Sequence, residues 1–251
     1  MPVERLSIEV TNRCGKACAF CYSHSLPTGN TSWTTDELVA FIEDCARHGV
    51  KAVSFGGGEP LEFDGIFNLL HRLRGVLFRS MTTNGLRLTD DVRDALIAAA
   101  PDKVHVSIHF PENEPEVSRV IGQVIELDRS GIRSGINLLV ARSKLAAARS
   151  AAQRIQAAGI DNRRVVYLPM RGSDTPTPSE VASIAGGPFQ SMSCLAACAN
   201  SPRFCSVSWD RKVGWCSYTR ARRELSALTY NGLQNALNGL GLEFCGGTHA
   251  A

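Results

Sequence analysis

The stretch TNRCGKACAFC, residues 11–21, places three cysteines in one short loop. Cys14, Cys18 and Cys21 have the spacing Cys-x3-Cys-x2-Cys, and they follow an alternating apolar segment that predicts a first β-strand over residues 5–11. Three thiolates from one loop can hold three irons of a [4Fe–4S] cube and leave the fourth iron open. A zinc knuckle with a distant fourth ligand is the alternative interpretation.

A second motif, Gly56-Gly57-Gly58-Glu59-Pro60, follows the next apolar run, residues 52–55. Glycines at the end of a strand let the backbone approach a ligand closely. A carboxylate beside them can hold an ammonium group. By itself a glycine run more often marks a simple turn, so the weight of this motif comes from its position one strand after the cysteine loop.

Together the two motifs resemble those of the radical S-adenosylmethionine (SAM) superfamily, whose members carry Cys-x3-Cys-x-aromatic-Cys after the first strand and Gly-Gly-Glu-Pro after the second. The resemblance implies that the three cysteines bind a [4Fe–4S] cluster whose open iron is chelated by SAM. It also implies that Gly57, Gly58 and Glu59 hold the amino group of SAM. A flavodoxin or ferredoxin would supply one electron, and SAM would be cleaved to a 5′-deoxyadenosyl radical that abstracts a hydrogen atom from a C–H bond.

Composition sets wide limits on the other function classes. The chain has 251 residues, 44% of them hydrophobic, and a net charge of +3, which fits one globular domain with a small appendage. No long run of Lys or Arg suggests nucleic-acid binding, and no stretch approaches the roughly 20 apolar residues of a membrane span. Without a secretory leader, nine cysteines are better explained by metal clusters than by disulfides, and we predict a cytoplasmic protein.

Apolar segments alternate with helical patterns about six times, which predicts parallel βα units and a partial (β/α)6 TIM-like barrel of the α/β class. The strands are predicted at residues 5–11, 51–56, 78–83, 103–109, 134–141 and 164–169. Thr34 and Glu37 form a capping box for the first helix, whose apolar stripe places Cys45 in the core. The ligand site of parallel strands lies at their carboxyl ends, where both motifs lie.

Polar residues at the ends of the later strands are candidates for the same site. The segment 82–85 closes the third strand. The family resemblance implies that side chains of the fourth and fifth strands contact SAM, which points to Ser107, Asn137 and Arg142. His109 ends the fourth strand and is a candidate catalytic contact to the substrate, with a hydrogen-bonded structural histidine as the alternative.

The composition changes after residue 171. We predict a core over residues 1–171, a linker over 172–193 with one short helix at 179–184, and a small cysteine-rich α+β extension over 194–251. Two short strands around a polar turn at 207–215 make this extension similar to twitch and SPASM domains, which add auxiliary iron–sulfur clusters to radical SAM enzymes. With few cysteines after the hairpin, the resemblance is to the shorter twitch type with one auxiliary [4Fe–4S] cluster.

Five cysteines lie in the extension, and four would ligate that cluster. Cys198, Cys216 and Cys245 are the preferred ligands, and Cys194 suits the fourth position better than Cys205. Structural zinc is the alternative, because four thiolates suit zinc as well. Cys205 is then either a small buried hydrophobic residue or a catalytic thiol that donates a hydrogen atom to a substrate radical.

An auxiliary cluster favours net two-electron oxidation of the substrate. We predict oxidation or cross-linking of a peptide, in natural-product or protein maturation. The first predicted strand begins near residue 5, so no leader-binding domain is expected before it, which weakens the peptide interpretation. Dehydrogenation or epimerisation of a sugar or aminocyclitol in natural-product biosynthesis is the alternative, and a non-catalytic iron–sulfur carrier is a remote one.

Overall fold

The computed structural model of the chain describes residues 3–196, 201–242 and 245. By its internal contacts the chain divides into two compact units. The first contains residues 1–104 and 200–243, and the second contains residues 105–199 and 244–251. None of the helices in the described ranges is both long enough and apolar enough to cross a membrane.

Strands and helices alternate over the first 185 residues, as predicted. The strands are β1 Arg5–Thr11, β2 Ala52–Gly57, β3 Phe78–Thr83, β4 Lys103–Ile108, β5 Ser134–Val140, β6 Val165–Pro169, β7 Phe204–Val207, β8 Lys212–Gly214 and β9 Arg223–Glu224. The helices are α1 Thr35–Arg47, α2 Ile66–Arg72, α3 Asp90–Ala99, α4 Glu114–Arg129, α5 Leu145–Ala157, α6 Pro178–Ala185, α7 Met192–Ala196 and α8 Tyr230–Leu237. The six predicted strands are confirmed to within one residue at each end, and so is the α/β class with an open, mainly parallel sheet.

The sheet of the first unit has the strand order β3-β2-β1-β7-β8-β9. β1 is parallel to both β2 and β7, and β2 is parallel to β3. β7, β8 and β9 are joined antiparallel, which confirms the predicted hairpin. The C-terminal segment therefore continues the sheet beside β1.

One face of this sheet forms the apolar core with the helices. Leu6, Ile8 and Val10 of β1 are buried, as is the stripe of α1 that includes Cys45. Burying an aliphatic or aromatic side chain of this kind stabilises the folded state by about 1.5–3 kcal/mol relative to leaving it exposed. Thr34 accepts from the Glu37 backbone N–H and the Glu37 side chain accepts in return from the Thr34 backbone, so the predicted capping box is confirmed.

The second unit contains β4, β5 and β6 in that order, with β5 and β6 parallel from Ile136 paired with Val165 onwards. The division between the units falls within β4. The predicted short helix near residues 179–184 is confirmed as α6, which begins at Pro178 behind a Thr177–Glu180 capping box. The predicted domain boundaries at residues 171 and 193 stay predictions.

Two local features differ from the sequence patterns. The helix α2 was not predicted. The apolar residues Leu225, Leu228, Leu233 and Leu237 predict one helical stripe. The helix begins only at Tyr230, because the Thr229 side chain accepts from the backbone N–H of Gly232 and caps the helix there. Leu225 instead follows β9 directly and is buried there.

Candidate functional site

The cysteine loop after β1 is closed at its base by hydrogen bonds. The Cys14 backbone N–H donates to the Leu26 carbonyl at 2.9 Å, and the Thr11 hydroxyl donates to the Asn30 carbonyl at 3.0 Å. The Asn30 N–H donates to Asn12 Oδ1 at 2.7 Å. These bonds fix both ends of the segment, so the three cysteines are presented from one ordered loop.

All three thiols of the loop are half-buried. The Asn84 side-chain amide donates to Cys14 Sγ at 3.6 Å, and the Ser23 hydroxyl lies 3.4 Å from Cys21 Sγ. Burial raises the pKa of the Cys14 thiol. Burial also acts to raise the pKa of Cys21, but hydrogen bonds from Ser23 and Ser25 outweigh it, and the Cys21 pKa is lowered.

This donor set fits a [4Fe–4S] cluster. Within the described ranges, no three His, Cys, Asp or Glu side chains converge on a point that could hold a single metal ion. A cube separates its ligands, because each thiolate binds a different iron. Hydrogen bonds to sulfur, such as those offered by Asn84 and Ser23, tune the potential of such a cluster.

The glycine motif at the end of β2 forms backbone hydrogen bonds with the start of the cysteine loop. The Gly58 N–H donates to the Thr11 carbonyl at 2.7 Å, and the Glu59 N–H donates to the Arg13 carbonyl at 2.8 Å. A Cβ added at Gly58 would lie 2.2 Å from the Arg13 carbonyl oxygen. Gly57 has a φ of +100°, in the region that favours glycine. The two motifs therefore form one continuous structure, and this contact requires glycine.

The Glu59 carboxylate is fully buried beside this contact. It accepts from the Thr83 hydroxyl at 2.7 Å, the Asn84 N–H at 2.7 Å and the Leu61 N–H at 3.1 Å. Burial raises the Glu59 pKa against the opposing effect of these bonds. A carboxylate has about four acceptor positions, so one remains for a ligand's ammonium group. The assignment of Gly57, Gly58 and Glu59 to SAM stays a prediction.

The other predicted SAM and substrate contacts lie in the second unit. Ser107 and Asn137 are buried on β4 and β5. The Arg142 side chain is partly exposed, with its Nε 4.0 Å from Glu180 Oε2. The His109 backbone N–H donates to a carboxylate oxygen of Glu116 at 2.6 Å. All four assignments stay predictions.

Four C-terminal cysteines were predicted to hold an auxiliary cluster. Cys194 is exposed on α7, Cys245 is half-buried, and both belong to the second unit. Cys216 is half-buried in the first unit, where its sulfur accepts from the Tyr218 N–H at 3.5 Å. Cys198 lies outside the described residues. The auxiliary cluster stays a prediction.

Cys205 is fully buried in β7. It pairs with Leu6 in register, so its side chain lies on the helix-facing side of the sheet. Its thiol is close enough to Cys45 for the two to interact electrostatically, and burial raises its pKa far above the ordinary value. This position favours the packing interpretation of Cys205 over hydrogen-atom donation.

Sequence reasoning missed the polar residues on the opposite face of the same sheet. Ser206, Ser7, Ser54 and Ser80 pair in register across β7, β1, β2 and β3, and we call these four residues the serine row. Glu9 follows on β1 and is buried on this face. The available signal was a carboxylate in the middle of a strand whose alternate residues are all apolar.

The geometry of the two motifs agrees with a family assignment. Residues 8–172 match the Radical SAM superfamily. The chain belongs to this superfamily. Membership implies a [4Fe–4S] cluster and SAM as the cofactors, and it accounts for the bonded contact between the cysteine loop and the glycine motif.

Curated relatives of this radical SAM chain share its sequence over part of their length. A protein of Methanocella arvoryzae named "Probable GTP 3',8-cyclase" is 35% identical over 109 residues, which are 42% of this chain and 34% of the relative. A protein of the same name from Methanothermobacter marburgensis is 31% identical over 137 residues, 54% of this chain and 43% of the relative. Each match thus covers less than half of the relative.

Solved structures share the fold over almost the whole chain. Streptococcus suis SuiB bound to the precursor peptide SuiA superposes with a TM-score of 0.71 at 11% identity, covering 92% of this chain and 64% of SuiB. anSMEcpe with bound AdoMet and the Cp18Cys peptide gives a TM-score of 0.65 at 14% identity, covering 95% of this chain and 83% of anSMEcpe. At these identities the likeness is one of fold.

Proposed function

We propose that this protein cleaves SAM reductively and uses the resulting 5′-deoxyadenosyl radical to abstract hydrogen from a C–H bond of a substrate. The observation that carries the proposal is the backbone contact between the two motifs, Gly58 N–H to Thr11 carbonyl and Glu59 N–H to Arg13 carbonyl. A three-thiol loop alone would suit a carrier, but a carrier has no use for an adjacent glycine cradle with a buried carboxylate.

The chain's own residues have separable parts in this proposal. Cys14, Cys18 and Cys21 would hold the cluster, which when bound would supply, together with SAM, the electron transfer and the radical. Asn84 links the two motifs, because its backbone N–H donates to Glu59 and its side chain donates to Cys14 Sγ. The remaining acceptor position of Glu59 receives the SAM ammonium group.

For the outcome of the reaction we propose net two-electron oxidation of the substrate. Cys194, Cys198, Cys216 and Cys245 would hold an auxiliary cluster, which would supply the electron acceptor that this oxidation needs. A flavodoxin or ferredoxin supplies the first electron. The similarity of the cysteine-rich extension to twitch and SPASM domains supports oxidation or cross-linking of a peptide. The polar face that carries the serine row supports the second candidate, oxidation or epimerisation of a sugar or aminocyclitol.

The test is SAM cleavage by anaerobically reconstituted protein under dithionite, with 5′-deoxyadenosine as the measured product. We expect the wild type to form it and the variant with Cys14, Cys18 and Cys21 all changed to Ala to form none. Cys45→Ala is the matched control, because it removes a thiol from the core and leaves the loop intact. Undiminished cleavage by the triple variant would contradict the proposal.

A further inference from the structure

Two exposed leucines lie on segments that contact the first cysteine of the loop. Among the large apolar side chains of the described residues, only Leu26 and Leu86 are more than half exposed, at 54% and 55%. The Leu26 carbonyl accepts from the Cys14 N–H at 2.9 Å. The Leu86 N–H donates to Asn84 Oδ1 at 2.8 Å, and the same side-chain amide donates to Cys14 Sγ. Both leucines therefore leave apolar surface open to solvent close to the cysteine loop.

Basic side chains accompany these leucines. Arg13 forms an isolated β-bridge with Leu26. Arg87 directly follows Leu86, and 61% of its side chain is exposed. Lys16 lies within the cysteine loop itself. The segments around the loop therefore combine exposed apolar groups with three cations.

One carboxylate joins the same segments. Glu62 accepts from the Gly15 N–H at 2.9 Å, and the same oxygen lies 3.5 Å from Arg87 Nε. This contact holds Arg87 beside the cysteine loop. Asp90, the next acidic residue after Arg87, pairs with Arg93 at 3.0 Å. Because a single carboxylate accompanies three cations, the surface around the loop carries an excess of positive charge.

These features match a transient interface with a negatively charged protein. Such interfaces combine an apolar centre with charges that steer the partner and fix its orientation. Electron transfer slows as the distance between two redox centres grows, so a carrier that reduces the cluster must dock against the loop that holds it. One-electron carriers of the flavodoxin and ferredoxin kind are acidic, and their charge complements this surface.

Resting on the proposed function, we propose that Leu26, Leu86, Lys16 and Arg87 form the docking surface for an acidic one-electron carrier protein. We call these four residues the carrier surface. In the docked complex one electron leaves the reduced carrier and enters the oxidised cluster, and no bond or proton is exchanged. The leucines supply the apolar contact, while Lys16 and Arg87 attract the carrier and make its binding depend on ionic strength.

The first experiment is isothermal titration of the anaerobic, cluster-containing protein with an oxidised bacterial flavodoxin and, separately, with an oxidised [4Fe–4S] ferredoxin. We expect at least one of them to bind, more weakly at high than at low ionic strength. Leu86→Ser should weaken this binding about fivefold, because it removes an apolar contact that the complex buries. Lys16→Gln should weaken it about twofold to fivefold at low ionic strength and reduce its dependence on salt.

Two matched controls lie away from the carrier surface. Val76 and Arg74 are exposed residues between α2 and β3, ahead of the amino end of β3. The cysteine loop follows the carboxyl end of β1, and β1, β2 and β3 are parallel, so the controls lie at the opposite end of the strands. Val76→Ser and Arg74→Gln remove an apolar group and a charge in the same way and should leave carrier binding unchanged.

The second experiment compares 5′-deoxyadenosine formation driven by the reduced carrier with formation driven by dithionite. Dithionite is a small reductant and needs no docking surface. Leu86→Ser and Lys16→Gln should therefore slow the carrier-driven reaction and match the wild type with dithionite. The dithionite reaction also shows that both variants fold and hold the cluster.

Wild-type affinity for the carrier in both Leu86→Ser and Lys16→Gln would overturn the proposal, and so would the failure of both carriers to bind at low ionic strength. An equal loss of 5′-deoxyadenosine with both reductants would assign these residues to the SAM site and would also overturn it. In each case a wild type that is active with dithionite leaves the proposed function standing. If the wild type forms no 5′-deoxyadenosine with dithionite, the proposed function fails, and the docking proposal fails with it.

Discussion

At the scale of single residues, the protonation of Glu9 makes the stability of the protein depend on pH. Burial raises the pKa of Glu9 to about 7, and the charge of Arg222 and the Trp209 N–H only partly oppose this effect. Asp210 acts in the same direction as burial. The native protein therefore holds a proton on Glu9 at pH values where the unfolded chain has released it.

This difference predicts a pH-dependent effect of Glu9→Gln on stability. Between an ordinary pKa of 4.5 and a native pKa of about 7, the wild type loses stability as pH rises, because its buried carboxyl must ionise. A glutamine does not ionise. From pH 5 to pH 8 we expect the unfolding free energy of Glu9→Gln to rise relative to wild type by about 2.5 kcal/mol. Urea denaturation at both pH values measures it, and parallel pH profiles for the two proteins would refute it.

Glu9 also shows where sequence reasoning stops at this scale. The spacing of Cys14, Cys18 and Cys21 is specific enough to predict a site without any structure. A single carboxylate in a strand does not predict a site, because a solvent-exposed position on an edge strand gives the same sequence pattern. Its burial depends on pairing registers between distant segments, as does the alignment of its neighbour Ser7 with serines from three other strands.

At the scale of elements, the contact between the glycine motif and the cysteine loop is a steric prediction. Gly58→Ala places a Cβ within 2.2 Å of the Arg13 carbonyl, so the two segments must separate. We expect a destabilisation of about 1–3 kcal/mol, typical of overpacking, measured by chemical denaturation. Gly122→Ala is the control, because that position in α4 has open space and alanine is the better helix former. Equal effects of both substitutions would show that the contact is not tight.

The strands and their order along the chain follow from the sequence because each βα unit repeats a local pattern of apolar residues and caps. The position of β7 in the strand order of the sheet cannot be predicted from such local patterns. Its hairpin with β8 is local and was predicted, whereas its parallel pairing with β1 joins segments about 200 residues apart. That pairing puts Cys205 beside Leu6 on the helix-facing side of the sheet, where it is fully buried in the core.

At the scale of the whole molecule, the number of clusters is the open prediction. If Cys198, Cys216 and Cys245 contribute to an auxiliary cube, reconstituted wild type should contain about eight irons, and the variant with these three changed to Ala about four. Iron and zinc analysis measures this directly. Zinc in place of the second four irons would favour a structural zinc site, and an unchanged iron content would show that these cysteines are not ligands.

The most direct measurement of whether the two motifs form a single SAM site is the electron paramagnetic resonance spectrum of the reduced cluster with and without SAM. A ligand on the open iron changes the electronic environment of the cluster, so SAM should shift the wild-type spectrum. In Gly58→Ala we expect the signal of the reduced cluster to persist and the SAM-induced shift to be lost, because the cysteines remain while the cradle beside them is displaced. A wild-type spectrum that SAM leaves unchanged, or a full shift in Gly58→Ala, would contradict the assignment of these two motifs to one SAM site.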